Sequence, residues 1–158
     1  MKDVAILLPN IRSAHNVGSI FRTADAAGVA HVFLAGYTPR PLDRFGRPDA
    51  AIAKTALGAE HTMPWSYARE SGALVRALKK DGWEIIGVEQ DERAHDYRSL
   101  RQSQKRRVFV FGNEVRGLSP QLRALCDRLI EIPMRGTKES LNVSVAAGIV
   151  LFSVRGTN

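Results

Sequence analysis

The chain has 158 residues, 44% hydrophobic and 25% charged, with 23 Lys and Arg against 16 Asp and Glu for a net charge of +7. That size and composition fit one globular domain and exclude a disordered chain. The lone cysteine, Cys126, excludes an internal disulfide and any zinc site built from several cysteines.

Val4-Ala5-Ile6-Leu7-Leu8 is a short, continuously apolar run, the pattern of a buried parallel strand. It ends at Pro9 and is too short for a signal peptide. Asn16 to Ala27 predicts a helix, with Asn16 as N-cap and Gly28 at its end. His31 to Ala35 predicts a second strand. Gly36 to Pro48 is a long loop rich in Pro and Gly that carries Arg40, Arg44 and Arg47. Ala50 to Leu57 predicts a short helix and Ser66 to Lys80 a longer one. Trp83 to Val88, Val108 to Phe111 and Leu129 to Ile132 predict strands, and Ser119 to Leu125 a helix with Pro120 at its first position. Asn142 caps the last helix, where Val143, Ala146, Ala147, Val150, Leu151 and Val154 form a helical stripe. Its opposite face is poor in charge, and Gly148 within it implies a close neighbour, such as a second subunit. The stripe falls short of the ~20 residues of a membrane span. Strands alternating with helices predict an α/β fold with a mainly parallel sheet flanked by helices.

In such sheets ligands gather at the carboxyl ends of strands. Three segments there are unlike ordinary loops. The first, residues 10–22, holds Arg12, Asn16, Gly18 and Arg22, with a helix start suited to an anion. An ion pair with Asp25 is the structural alternative for Arg22. The second, residues 111–119, joins a strand to a helix through Gly112, Asn113, Glu114 and Gly117. The third, residues 132–144, holds Ile132, Met134, Ser140, Leu141 and Asn142, although Ser140 and Asn142 also suit helix capping. Other chemistries lack their signatures. The four histidines are scattered and no HExxH, GxSxG, GxGxxG or Walker loop occurs. Cys126 reads as a structural thiol. Trp65, Tyr67 and Trp83 are candidates for stacking on bases, though aromatic residues more often belong to a core. Seventeen of the 23 cations are arginine, whose planar fork suits phosphate, so RNA or DNA is an expected partner.

Together these segments resemble the motifs of the SpoU/TrmH class of SPOUT RNA methyltransferases, in order and over nearly the whole chain. Asn16, Gly18 and Arg22 match N-x-G-x-x-x-R. Gly112, Asn113, Glu114, Gly117, Leu118 and Ser119 match G-N-E-x-x-G-L-S. Ile132, Pro133, Met134, Gly136 and Ser140 to Ser144 match I-P-M-x-G…S-L-N-V-S. Ala14 departs from the proline of many members, which touches loop stiffness. The resemblance implies one SPOUT domain over residues 1–158, with a trefoil knot near its C-terminus, acting as a homodimer; the lone Cys126 fits a reducing, cytoplasmic home. It implies S-adenosylmethionine held near Val88, Gly112, Ile132, Met134, Ser140 and Leu141, and no metal. It places catalysis on Arg22, Asn16, Glu114 and Asn142, directed at a ribose 2′-hydroxyl. Arg12, Arg40, Arg44 and Arg47, with the cluster Arg101, Lys105, Arg106 and Arg107, are candidates for RNA phosphates. The chain is compact, so tRNA is the expected substrate; ribosomal RNA, or a non-catalytic RNA-binding module on the same fold, are the alternatives.

Overall fold

Every position of Val4-Ala5-Ile6-Leu7-Leu8-Pro9 is buried, as a strand covered on both faces requires. The computed structural model describes residues 3–154. Among them this run is β1 (Val4–Pro9), followed in chain order by α1 (Ala14–Ala27), β2 (His31–Ala35), α2 (Ala50–Ala56) and α3 (Ala59–Thr62). Next come β3 (Trp65–Ala68), α4 (Ser71–Lys80), β4 (Glu84–Val88), β5 (His95–Asp96), β6 (Arg107–Phe111), α5 (Pro120–Leu125), β7 (Arg128–Glu131) and α6 (Val143–Ser153).

The strands form one sheet in the order β3-β2-β1-β6-β4-β7-β5, and every pairing is parallel. This is the parallel, helix-flanked α/β architecture expected from the sequence. All strand carboxyl ends therefore lie along one edge. β1 sits between β2 and β6, so the chain order reverses direction there, and clefts form outside such reversals.

Alternate strand residues feed two cores. Ile6, Leu8, Leu34, Ile86, Phe109 and Phe111 pack with Phe21 of α1, Ile52 of α2 and Leu151 of α6. Ala5, Leu7, Ile85, Val108 and Val110 pack with Val75 of α4 and Leu122 of α5 on the other face. Each fully buried aliphatic or aromatic side chain contributes about 1.5–3 kcal/mol, so the two-sided burial outweighs local propensity where the two conflict. No helix of the described residues is long and apolar enough to cross a membrane.

Residues 66–80 show such a conflict, and they do not form one helix. Trp65–Ala68 pairs with β2 as an edge strand, and α4 begins only at Ser71. The helical stripe of Leu74, Val75 and Leu78 lies wholly beyond Glu70, while Trp65 and Tyr67 alternate with small residues and suit a strand. Asn16 does not cap α1 either. Ser13 does, its hydroxyl accepting from Asn16 N at 3.2 Å, and Gly28 ends the helix at φ 70°. α3 and β5, four and two residues long, are too short to leave a periodic signal.

Gly18 owes its place to packing rather than to a ligand at the helix start. A Cβ there would lie 2.1 Å from Thr55 Oγ1 and 2.4 Å from Ile52 O, where α1 crosses α2. At Gly148 a Cβ would meet only Thr23 Cγ2 at 3.7 Å, an ordinary contact, so nothing among the described residues demands that glycine. Gly18→Ala gains about 1 kcal/mol of helix propensity, but overpacking of about 1–3 kcal/mol opposes it. The expected outcome is a net loss of about 1 kcal/mol, read as a lower urea midpoint with an unchanged slope. An unchanged midpoint would mean that α1 and α2 separate without cost.

Candidate functional site

α1 begins beside the loop that follows β6, and a carboxylate closes the gap. Glu114 Oε2 accepts from Arg12 N at 3.1 Å; Glu114 Oε1 accepts from Ser13 N at 3.2 Å and from Asn16 Nδ2 at 3.3 Å. Free amides at the positive end of a helix dipole attract an anion, and here the protein's own carboxylate fills that place. Burial opposes ionisation of Glu114. Hydrogen bonds from Arg12, its own backbone, Ser13 and Asn16 outweigh that cost and hold its carboxyl below the usual range. The network continues into α6. Asn142 Nδ2 donates to Asn16 Oδ1 at 3.1 Å, and Asn142 Oδ1 accepts from Ser144 N at 2.8 Å as the N-cap of α6.

Three of the four expected catalytic residues thus share one hydrogen-bonded chain. Arg22 stands apart from it, exposed on α1 about 9 Å along the helix axis from Asn16. Its side chain has no hydrogen bond or ion pair among the described residues. The alternative ion pair with Asp25 does not form; Asp25 accepts from Thr62 Oγ1 instead.

A cleft opens beside this network, at the carboxyl ends of β4, β6 and β7. Val88, Gly112, Ile132, Met134, Ser140 and Leu141, the six expected cofactor positions, all line it. Glu89, Glu114 and Glu131 line it too, and among the described residues no Lys or Arg does. Its two glycines serve the loop itself. A Cβ on Gly112 would lie 2.5 Å from Gly117 C, and one on Gly117 would lie 2.1 Å from Glu89 Oε2. Glu89 Oε2 accepts from Leu118 N at 2.6 Å, which ties the end of β4 to the loop after β6.

Motif spacing alone does not reveal the work of Asn113, Asn10 and Tyr37. Asn113 is 8% exposed and fully bonded. Its Oδ1 accepts from Val115 N and Arg116 N, and its Nδ2 donates to Asn10 O and to Tyr37 Oη. Asn10 adopts φ 54°, a conformation asparagine tolerates, and its Oδ1 accepts from Tyr37 N. An asparagine at the end of each central strand was the available signal.

The arginines divide. Arg12 is exposed, while Arg40 lies 4.1 Å over the Tyr67 ring, and Arg44 and Arg47 lie 4.7 and 5.0 Å from the Phe45 ring. None of the four lines the cleft. Arg107 cannot meet RNA. It is buried, bonded to Glu84 Oε2 at 2.8 Å and to Arg101 O at 2.8 Å. Arg106 stacks on Trp83 and donates to Asp81 O. Burial pushes the Cys126 thiol up to about 11, and Sγ donates to Leu122 O, the behaviour of a structural thiol. Among the described residues no group of three His, Cys, Asp or Glu is placed to hold a metal ion.

Residues 3–152 match the SpoU rRNA Methylase family. The chain belongs to that family. It is 38% identical over 151 residues to the 23S rRNA (guanosine-2'-O-)-methyltransferase RlmB of Neisseria meningitidis serogroup B, covering 95% of this chain and 57% of that protein. The RlmB of Vibrio cholerae is 36% identical over 152 residues, covering 96% and 58%. The chain therefore spans under two-thirds of these relatives. An AdoMet-bound rRNA methyltransferase from Sinorhizobium meliloti superposes with a TM-score of 0.88 at 29% identity, over 97% of this chain and 56% of that one. A TrmH/SpoU tRNA modifying enzyme of A. aeolicus gives 0.84 at 27%, over 98% and 74%.

In this SpoU-family chain the lowered Glu114 pKa carries a sign. The fold favours the ionised carboxylate, so its stabilisation is present above the ordinary carboxylate range and is lost as pH falls through the depressed value. Glu114→Gln removes that dependence. Between about pH 6 and about pH 3 the native protein should lose more stability than Glu114→Gln does in urea unfolding. Equal losses would mean that the carboxylate is no better held in the folded state than in the unfolded chain.

Proposed function

We propose that this chain transfers a methyl group from S-adenosylmethionine to a ribose 2′-hydroxyl of RNA. The observation that carries this reading is the charge of the cleft. In a chain of net charge +7, the cleft is lined by three carboxylates and, among the described residues, by no Lys or Arg. That lining disfavours a nucleotide phosphate and suits a cationic sulfonium. Apolar walls from Val88, Ile132, Met134 and Leu141, with loop backbone at Gly112 and Ser140, fit an adenosyl group. When bound, S-adenosylmethionine supplies an activated methyl, leaving proton removal from the ribose hydroxyl as the chain's task.

Arg22 is the residue proposed for that task. A guanidinium is too weak a base to take the proton itself. Arg22 instead holds the hydroxyl against an RNA phosphate oxygen, which takes the proton as the hydroxyl oxygen attacks the methyl. Its exposed side chain is open to a large substrate. Asn16, Glu114 and Asn142 hold the loops at the start of α1 in position, about 9 Å along the helix axis from Arg22.

Ribosomal RNA is the better supported substrate. The relatives named as 23S rRNA enzymes reach 38% identity, against 27% for the solved tRNA modifying enzyme. The compactness that pointed to tRNA does not discriminate, because the match covers only 57% of a longer rRNA enzyme. The reading includes one SPOUT domain over residues 1–158, a knotted C-terminal segment, a cytoplasmic location and a homodimer. Support for the dimer comes from α6. It buries Ala147, Val150 and Leu151 on one side and leaves Val145 and Phe152 50% and 47% exposed on the other.

Titration calorimetry should show S-adenosylmethionine binding about one site per chain, equally in the native protein and in Arg22→Ala. Methyl transfer to ribosomal RNA should fall at least about a hundredfold in Arg22→Ala. Full activity there would remove Arg22 from the mechanism. No binding of S-adenosylmethionine or S-adenosylhomocysteine would overturn the enzyme reading in favour of an RNA-binding module.

A further inference from the structure

The loop between β2 and α2 ends in a small, rigid hairpin that displays an aromatic ring. Leu42 and Pro48 form an antiparallel bridge across its base. Asp43 organises the tip: Oδ1 accepts from Phe45 N at 2.8 Å and Arg47 N at 2.9 Å, and Oδ2 pairs with Arg47 Nε at 2.7 Å. Asp43 N donates to Arg47 O, Gly46 N donates to Asp43 O, and Gly46 takes φ 74°. The turn is thus fixed by its own hydrogen bonds rather than by packing of Phe45. The phenyl ring stays 66% exposed, with the guanidinium carbons of Arg44 and Arg47 at 4.7 and 5.0 Å from its centroid. A single exposed ring is ordinary on a protein surface, but one presented on a hydrogen-bonded turn between two guanidinium groups is arranged to meet a partner.

The surroundings select that partner. With Asp43 offsetting one of its two arginines the hairpin stays net positive, which opposes a second copy of it in a chain of net charge +7. A nucleic acid brings a π-face and a phosphate together, matching ring and guanidinium at once. A base inside a duplex cannot stack on the ring, so the strand must be unpaired there. The root of the loop is also joined to the cleft, because Tyr37 Oη accepts from Asn113 Nδ2 at 2.9 Å and Asn113 lines the cleft.

We propose that residues 42–48 form a platform on which an unpaired RNA base stacks against Phe45 while flanking phosphates engage Arg44 and Arg47. The platform rests on the reading of the chain as an RNA methyltransferase and selects single-stranded RNA as the form it takes. The probes are an oligoadenylate of about 12 nucleotides and an RNA duplex of the same length. The native protein should bind the single strand more tightly than the duplex. Phe45→Ala should weaken single-strand binding about tenfold with an unchanged salt slope, since it removes no charge. Phe45→Trp should restore affinity and show a fluorescence quench on binding beyond that of Trp65 and Trp83 in the native protein. Arg44→Gln should reduce the salt slope by about 0.7.

Equal affinity in Phe45→Ala would overturn the platform while leaving the enzyme reading intact. A weaker Phe45→Ala with a reduced salt slope would do the same, because the ring would then only hold the arginines. A smaller assembly for Phe45→Ala in sedimentation would give the ring to a subunit interface and also overturn it. Tighter binding of the duplex, or no RNA binding beside normal S-adenosylmethionine binding, would overturn the platform but not the cofactor half of the enzyme reading. Loss of cofactor binding with the RNA results as expected would overturn the enzyme reading alone.

Discussion

One carboxylate holds the functional edge of the molecule together. Glu114 binds backbone amides 102 and 101 residues away at Arg12 and Ser13, and the Asn16 side chain 98 residues away. Asn16 then accepts from Asn142, 126 residues on. Loops from three distant parts of the chain are joined through two side chains, Asn16 and Glu114, the latter at a helix N-terminus where the dipole favours its charge. An anion from outside would compete for the same amides. The protein keeps them for itself, and the start of α1 serves as a joint rather than as a phosphate site.

The same economy governs the charges elsewhere. Arg107 and Glu84 form a buried pair at the amino ends of β6 and β4, far along the sheet from the carboxyl edge. Breaking one partner of such a pair leaves an uncompensated charge, so these residues serve the fold. Arg123 and Arg93 both reach Asp91, whose carboxyl they hold well below the usual range, Arg93 foremost. Arg12, Arg40 and Arg44, on the loops after β1 and β2, have no ion pair among the described residues, while the cleft gathers carboxylates. Cation-bearing loops and a carboxylate-lined cleft thus share the carboxyl edge of one sheet.

A parallel sheet makes that arrangement geometrically cheap. Every strand delivers its following loop to the same edge, so residues from β1, β4, β6 and β7 meet without long excursions. The cost falls on the backbone, which must turn sharply at each strand end. Asn10 at φ 54° and Gly117 at φ 65° absorb two of those turns, and the neighbouring side chain fills the space that a Cβ at Gly117 would occupy.

The parallel α/β class, most strand positions and the cap of α6 were legible in the sequence by itself, and the resemblance of its motifs to a known family pointed to six positions that line the cleft. Continuous apolar runs, a 3.6-residue stripe and ordered motifs are local properties, and the chain carries them wherever it folds. The tertiary structure alone decided that Trp65–Ala68 is a strand, because pairing with β2 overrides a neighbouring helical pattern. It alone decided that Asn16 serves Glu114 and Asn142 instead of capping α1, and that Gly18 and Gly112 exist for close packing of the chain on itself. It alone separated Arg107, buried against Glu84, from Arg44 beside an exposed ring. Each of those outcomes depends on which atoms arrive from remote segments, and hydrogen-bond partners, burial and steric contact have no local signature.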